Sequence, residues 1–88
     1  MRKLDLTKQS QKYIETLVQK HQKQIVKNII GLQDKVKPQD SKKLRGFDYY
    51  RIDSGEYRIV YDWDDTTVFI LVVGKRNDDD VYKKLKRK

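Results

Sequence analysis

Six consecutive apolar residues, Val68 to Val73, run straight into Gly74, Lys75 and Arg76. With no polar position to break it, such a run reads as a buried strand, and Gly74 supplies the backbone freedom to leave it sharply. Two cations are thereby held at the lip of a rigid sheet, a good place to grip a phosphate. Phe47 to Asp53, Tyr57 to Trp63 and Thr67 to Val73 read as three strands joined by Ser54-Gly55 and by Asp64-Asp65-Thr66. Links this short imply an antiparallel meander.

The first half supplies the cover for that sheet. Arg2 to Leu6 reads as a short first strand, and Thr7 is suited to cap a helix in which Tyr13, Ile14, Leu17 and Val18 recur at helical spacing. A break is expected near His21, in a polar, solvent-exposed turn. The second helix carries Ile25, Val26, Ile29 and Ile30 on one stripe, with Gly31 and then Pro38 marking its end. After Asn77 a final short helix has acids in its first turn and Lys83 to Lys88 near its end, as the helix dipole favours. The expected fold is α+β: a small antiparallel-rich sheet in the order β-α-α-β-β-β-α, an N-terminal helical hairpin packed on it, and one domain spanning residues 1 to 88. Only the last few basic residues look disordered.

Composition excludes several classes of function. A domain of 88 residues buries only about 60% of its unfolded surface, so stability is modest. Without cysteine there is no disulfide or thiolate metal site, and one histidine makes no cluster, so neither metal nor cofactor is expected. No apolar segment approaches the roughly 18 residues of a membrane span, and Asp5 interrupts any signal-peptide core. A soluble protein of the reducing cytoplasm, with no membrane partner, fits. The net charge of +8 is concentrated in residues 35 to 46 and 75 to 88, each with an excess of four cations. Polyanion binding uses charge in this way, because electrostatic affinity grows with the number of phosphates neutralised; solubility alone uses it too.

Pairing across a Ser54-Gly55 turn sets Asp53 against Glu56, Ile52 against Tyr57 and Arg51 against Arg58. Two guanidiniums directly opposed repel, which calls for an anion between them or for neutralisation by Asp53 and Glu56. On this register Ile52, Ile59, Tyr61, Trp63, Val68, Ile70 and Val72 share the core face, leaving Arg51, Asp53 and Arg58 on the other. The last strand of the meander ends beside Arg58, so Gly74, Lys75 and Arg76 emerge at the arginine end of the sheet. The remaining aromatics, Tyr49, Tyr57, Tyr61 and Trp63, read as core. The competing reading of the cations is structural, with Arg51, Arg58 and Arg76 paired to Asp53, Glu56 or Asp78.

Four segments carry a family resemblance: Lys-Leu-Arg-Gly ending at Gly46, Tyr-Arg-Ile at 50 to 52, Gly-Glu-Tyr-Arg-Ile-Val-Tyr at 55 to 61, and Val-Gly-Lys-Arg at 73 to 76 followed by Val-Tyr at 81 and 82. Together they resemble the RelE group of the RelE/ParE toxin superfamily. The resemblance implies a compact sheet flanked by a helical hairpin, and a ribosome-dependent endonuclease that cuts mRNA in the A site and is silenced by a cognate antitoxin. It further implies functional roles for Arg51, Arg58, Arg76 and Tyr82, with Lys75 as an auxiliary. The cations Lys42, Lys43, Arg45, Lys75, Lys83 and Lys84 are the expected contacts to RNA and ribosome. Such nucleases often carry a lysine two residues after the first basic position, where this chain has Asp53, a departure from the usual proton-transfer set.

The chemistry asks little of the protein, because the 2′-hydroxyl is already an intramolecular nucleophile beside its phosphate. Arg58 and Arg76 are suited to clamp the non-bridging oxygens and stabilise the extra charge of the transition state. Tyr82 is suited to stack on a base or orient the sugar, and either Tyr82 or Asp53 to accept the 2′ proton. Packing is the alternative role for Tyr82, on one face of an amphipathic helix. Two rivals stay open: a ParE-like topoisomerase inhibitor, and a nucleic-acid-binding module that does not cut.

Overall fold

The computed structural model describes residues 1–77 and 79–86. It contains strands β1 (Lys3–Leu6), β2 (Lys42–Lys43), β3 (Tyr50–Ser54), β4 (Tyr57–Trp63) and β5 (Thr67–Lys75), and helices α1 (Lys8–Glu15), α2 (Gln19–Asp34) and α3 (Asp80–Lys86). The strands form one five-stranded sheet in the order β1-β5-β4-β3-β2. β1 lies parallel to β5, while every other pairing is antiparallel. The apolar run of β5 thus has a neighbour on each side, as a buried strand requires. β2 was not foreseen: two lysines on a sheet edge carry no strand pattern.

The six apolar residues conceal an irregularity. Val60 pairs with Val72 but Tyr61 pairs with Ile70, so Leu71 is an extra residue in β5, a β-bulge that reverses which face the strand's residues occupy. Val68, Ile70 and Val73 accordingly lie in the core beneath α1 and α2. Val72, expected on that face, belongs to a second cluster with Leu44, Val60, Val81 and Leu85 beneath α3. Thr7 secures the bulge. Its hydroxyl caps α1 by accepting from the Ser10 amide at 3.2 Å and donates to the Leu71 carbonyl at 2.8 Å. The buried Ser10 hydroxyl donates to the Ile70 carbonyl at 3.3 Å. The Leu71 carbonyl thus has a side-chain donor at the bulge, and the Ile70 carbonyl accepts the Thr7 amide at 3.1 Å as well as the Ser10 hydroxyl.

The helical hairpin departs from its pattern in two places. The break falls at Thr16–Val18, before His21, because the Thr16 hydroxyl donates to the Tyr13 carbonyl at 2.6 Å and competes with helix propagation. His21 lies within α2, with Nδ1 2.7 Å from the Tyr57 hydroxyl, so it is neither in a turn nor simply solvated. In α2 the buried positions are Ile25, Ile29 and Leu32, while Val26 and Ile30 are 41% and 50% exposed. Val18, expected to pack with α1, is exposed as well. One narrow seam, not the full stripe, meets the sheet. Gly31 sits inside the helix, which runs on to Asp34.

The β3–β4 hairpin turns through Gly55 and Glu56, since Ser54 pairs with Tyr57. A two-residue turn of this hand needs positive φ at its first position, and Gly55 has φ of 59°. The expected Ser54-Gly55 turn would place serine there instead. Moving the turn by one residue shifts the pairing by two, which changes every partner but keeps every face. β3 also starts later than expected, at Tyr50, because Gly46 at φ 83° bends the preceding chain.

Candidate nucleic-acid interface

Asp53 stands directly opposite Arg58 in the hairpin, and Arg51 stands opposite Val60. The Arg58 Nε donates to Asp53 Oδ1 at 2.9 Å, and an Arg51 Nη1 lies 3.6 Å from the same oxygen. The expected opposition of two guanidiniums is therefore absent; one carboxylate sits between the arginines. Their side chains are only 21% and 18% exposed, so this charge pairing is partly shielded from water. A phosphate reaching Arg58 has to displace Asp53 from Nε or bind the remaining guanidinium donors.

The exit of β5 reaches the same end of the sheet. Gly74 pairs with Arg58 and Lys75 with Tyr57, and the Arg76 amide donates to the Glu56 carbonyl at 2.9 Å. The Lys75 and Arg76 side chains are exposed. Gly74 does not adopt positive φ. Its need is space: a Cβ there would stand 2.6 Å from Asp80 Oδ2 and 3.2 Å from Val81. Glycine lets α3 settle onto the strand.

Asp80 fastens that helix. Its carboxylate accepts the Lys75 amide at 2.9 Å and faces the Lys84 ammonium at 3.2 Å. Burial by itself would raise the carboxyl's pKa, but these two donors outweigh it and hold it below the usual carboxylate value. Lys84 Nζ also donates to the Val73 carbonyl at 3.2 Å and sits 3.6 Å from the Tyr13 ring centroid. Burial, followed by the Asp80 and Tyr57 charges, raises the Tyr13 pKa. Lys84, expected among the RNA-facing cations, is thus committed to holding α3 against α1. Asp79 precedes the helix at φ 54°, and the expected Arg76–Asp78 pair falls at a position outside the described residues, as do the final basic ones.

Tyr82 is half-buried on α3, its ring centroid 6.2 Å from that of Phe47, which in turn stacks on Tyr49 at 6.0 Å and 12°. All three pack against the cluster of Leu44, Val60, Val72, Val81 and Leu85. They occupy the sheet face that carries Arg51, Asp53 and Arg58. Tyr82 and Phe47 line an open cleft of about 560 Å³, together with Arg45, Gly46, Asp79, Lys83 and Lys86. Arg45 and Lys83 are exposed, as expected. Lys42 and Lys43 are exposed on the edge strand, where Lys43 reaches Asp48 at 3.3 Å in a pairing too solvated to restrain it much. Tyr49, expected in the core, packs against the cluster of Leu44, and Phe47, which carried no expectation beyond starting a strand, packs there as well. Among the described residues no three His, Cys, Asp or Glu side chains gather to hold a metal ion, and no helix is long and apolar enough to cross a membrane.

The family described as the ParE toxin of type II toxin–antitoxin systems matches residues 4–80. No curated protein matches the chain. Among solved structures, a mutant of the Escherichia coli toxin RelE in the free state is 29% identical, covering 98% of this chain and 96% of its own, with a TM-score of 0.78. RelE in the intact E. coli RelBE toxin–antitoxin complex is 28% identical over 89% and 100%, at 0.75. The archaeal RelE–RelB complex from Pyrococcus horikoshii gives 27% over 86% and 96%, at 0.74. The chain belongs to the RelE/ParE superfamily and is a type II toxin–antitoxin toxin with the RelE fold.

Proposed function

We propose that this toxin is a ribosome-dependent mRNA endonuclease that halts translation in the cytoplasm. The observation that carries the reading is the gathering of Arg51, Arg58 and the Gly74-Lys75-Arg76 exit at one end of the sheet, on a face that also bears Tyr82. Cleavage needs no metal: the 2′-hydroxyl gives its proton to solvent as its oxygen attacks the adjacent phosphorus, the bond to the 5′-oxygen breaks, and that oxygen takes a proton from solvent and leaves as a hydroxyl. The products are a 2′,3′-cyclic phosphate and a 5′-hydroxyl. Arg58 and Arg76 stabilise the charge that grows on the non-bridging oxygens, and Tyr82 orients the nucleotide. Asp53, shared by Arg51 and Arg58, restrains the arginines. With proton-transfer groups so sparse, alignment by the ribosome is required. Lys42, Lys43, Arg45, Lys75 and Lys83 contact RNA or ribosome, and a cognate antitoxin of acidic, amphipathic character holds the toxin inactive.

Primer extension on translated mRNA after induction tests this: codon-dependent 5′ ends support it, and equal cutting of naked RNA counts against it. The family match by description to ParE toxins favours one other reading, a topoisomerase inhibitor. Intact mRNA together with inhibited topoisomerase would establish that alternative.

A further inference from the structure

Helix α2 buries one narrow seam and leaves apolar surface in the open on its outer side. Val18, Val26 and Ile30 are, with Met1, the large hydrophobic residues exposed among those described, and Val18 directly precedes the helix that holds the other two. Gln22, Val26 and Ile30 follow one another at i, i+4, which makes them a single ridge about 12 Å long. Beside it runs an open groove of about 460 Å³, lined by Gln19, Gln22, Lys23, Val26, Lys27 and Ile30. The charge there is of one sign: Lys20, Lys23 and Lys27 are exposed, and α2 has no acid before Asp34 in its last turn. Gly31, next to Ile30, is a second observation. Glycine inside a helix is destabilising relative to alanine, yet a Cβ at Gly31 would meet nothing within 4 Å. Nothing within this chain uses the space that the glycine leaves.

An exposed apolar ridge rimmed by polar residues is the signature of a protein contact, and a helix laid in a groove is the form that suits it. We propose that the outer face of α2 is the docking surface for an acidic amphipathic helix of the cognate antitoxin. Apolar residues of that helix seat on Val26 and Ile30, its carboxylates meet Lys20, Lys23 and Lys27, and Gly31 lets the two backbones approach closely. Charge selects this occupant. A second copy of the chain would set the three lysines of α2 against the same three, and an RNA strand would satisfy the lysines but leave Val26 and Ile30 unused. The inference rests on the antitoxin part of the reading above and is independent of the nuclease part. Because α2 packs on the sheet face opposite Arg51, Asp53 and Arg58, the contact holds the partner without covering the arginines. Anchoring and neutralisation are therefore separate tasks, carried by different segments of the antitoxin.

The test uses the intact toxin and the full-length antitoxin encoded with it. The chain has no cysteine, so Ile30→Cys carries a single polarity-sensitive fluorophore, whose emission should shift to the blue when antitoxin is added. The double variant Val26→Asp/Ile30→Asp should weaken the complex by about 30-fold or more, the effect of losing a hot-spot side chain. Lys23→Glu/Lys27→Glu should weaken it by about 10-fold at low salt, chiefly through slower association, and by less at high salt. Both double variants should melt like wild type, because all four side chains are exposed, and both should keep the toxicity of the free toxin. A complex that forms without the blue shift, or with wild-type affinity in Val26→Asp/Ile30→Asp, overturns the docking surface and leaves the antitoxin reading standing. Unchanged binding by Lys23→Glu/Lys27→Glu overturns the acidic occupant, and the absence of any complex with the wild-type toxin overturns the surface and the antitoxin reading together. A blue shift that grows with toxin concentration alone marks a contact between copies, and one produced by RNA alone marks a nucleic-acid surface; either overturns the proposal. If Val26→Asp/Ile30→Asp fails to fold, the label at Ile30→Cys still decides.

Discussion

The two faces of the sheet are built to different standards. Beneath α1 and α2, the residues Ile25, Ile59, Tyr61, Val68, Ile70 and Val73 are fully buried, and polar groups within this core have partners. The Tyr61 hydroxyl donates to the Val36 carbonyl at 2.6 Å, and burial pushes its pKa up to about 12. The Asn28 amide donates to the buried Ser54 hydroxyl. Beneath α3 the cluster is smaller and its margin consists of half-buried aromatics and arginines. A helix of seven residues covers it, fastened by one carboxylate and one lysine. The closed face carries the stability, leaving the other free to hold charge and aromatic surface where a substrate can reach them.

That division is open to direct attack, beginning on the closed side. Ile70→Ala should cost about 2–5 kcal/mol, because the residue is fully buried and bonded into the central strand, where collapse around the cavity is restricted. Denaturant melts would measure it. An effect under about 1 kcal/mol would mean that the closed face is not the source of stability. Arg58→Ala is its counterpart on the open face: cleavage on ribosomes should fall by the equivalent of about 2.7–4 kcal/mol while the melt changes little. Gross unfolding of that variant would make the arginine structural and erase the contrast.

How much of this contrast could be read from the residues follows from what each pattern encodes. The apolar run Val68 to Val73 announces β5, but six apolar positions in succession carry no alternation, so the bulge at Leu71 and the transfer of Val72 to the open face leave no trace. The placement of Arg51, Asp53 and Arg58 on one face survived an incorrect register because the error was two residues, one full period of a strand. Lys84 shows the opposite limit. Nothing in a basic C-terminal run distinguishes the lysine that turns inward; only the i,i+4 spacing to Asp80 hints at it.

Smaller effects probe the fastening of α3. The Asp80 pKa is lowered in the folded protein, so its contribution is fully present above the unfolded carboxylate value of about 3.9 and is lost as pH falls through the lower folded value. Amide exchange in α3 should be insensitive to acidification down to about pH 4, after correction for intrinsic rates, and should accelerate below it. Asp80→Asn should loosen α3 already at neutral pH and flatten that acid limb. An unchanged acid limb in the variant would assign the loosening to other groups.

The finest discrimination concerns Asp53, where the open face opposes its own purpose. A carboxylate 2.9 Å from Arg58 Nε competes with any phosphate for the same donor, and Arg51 at 3.6 Å adds to its hold. Asp53→Asn keeps the shape and removes the negative charge. If Asp53 serves only to restrain the arginines, RNA binding should tighten by roughly a few fold, because a competitor for their donors is removed, and cleavage should be maintained or rise. If it were the base that takes the 2′ proton, the single-turnover rate on ribosomes would drop by about 10²–10⁴-fold with binding unchanged. The sharing of one oxygen between two guanidiniums favours the first outcome, because the carboxylate is already engaged by both arginines. Asp53→Lys extends the measurement in the same direction: it replaces a competitor for the arginines with a third cation, and a gain in ribosomal cleavage would show that this toxin is held below the activity its fold can support.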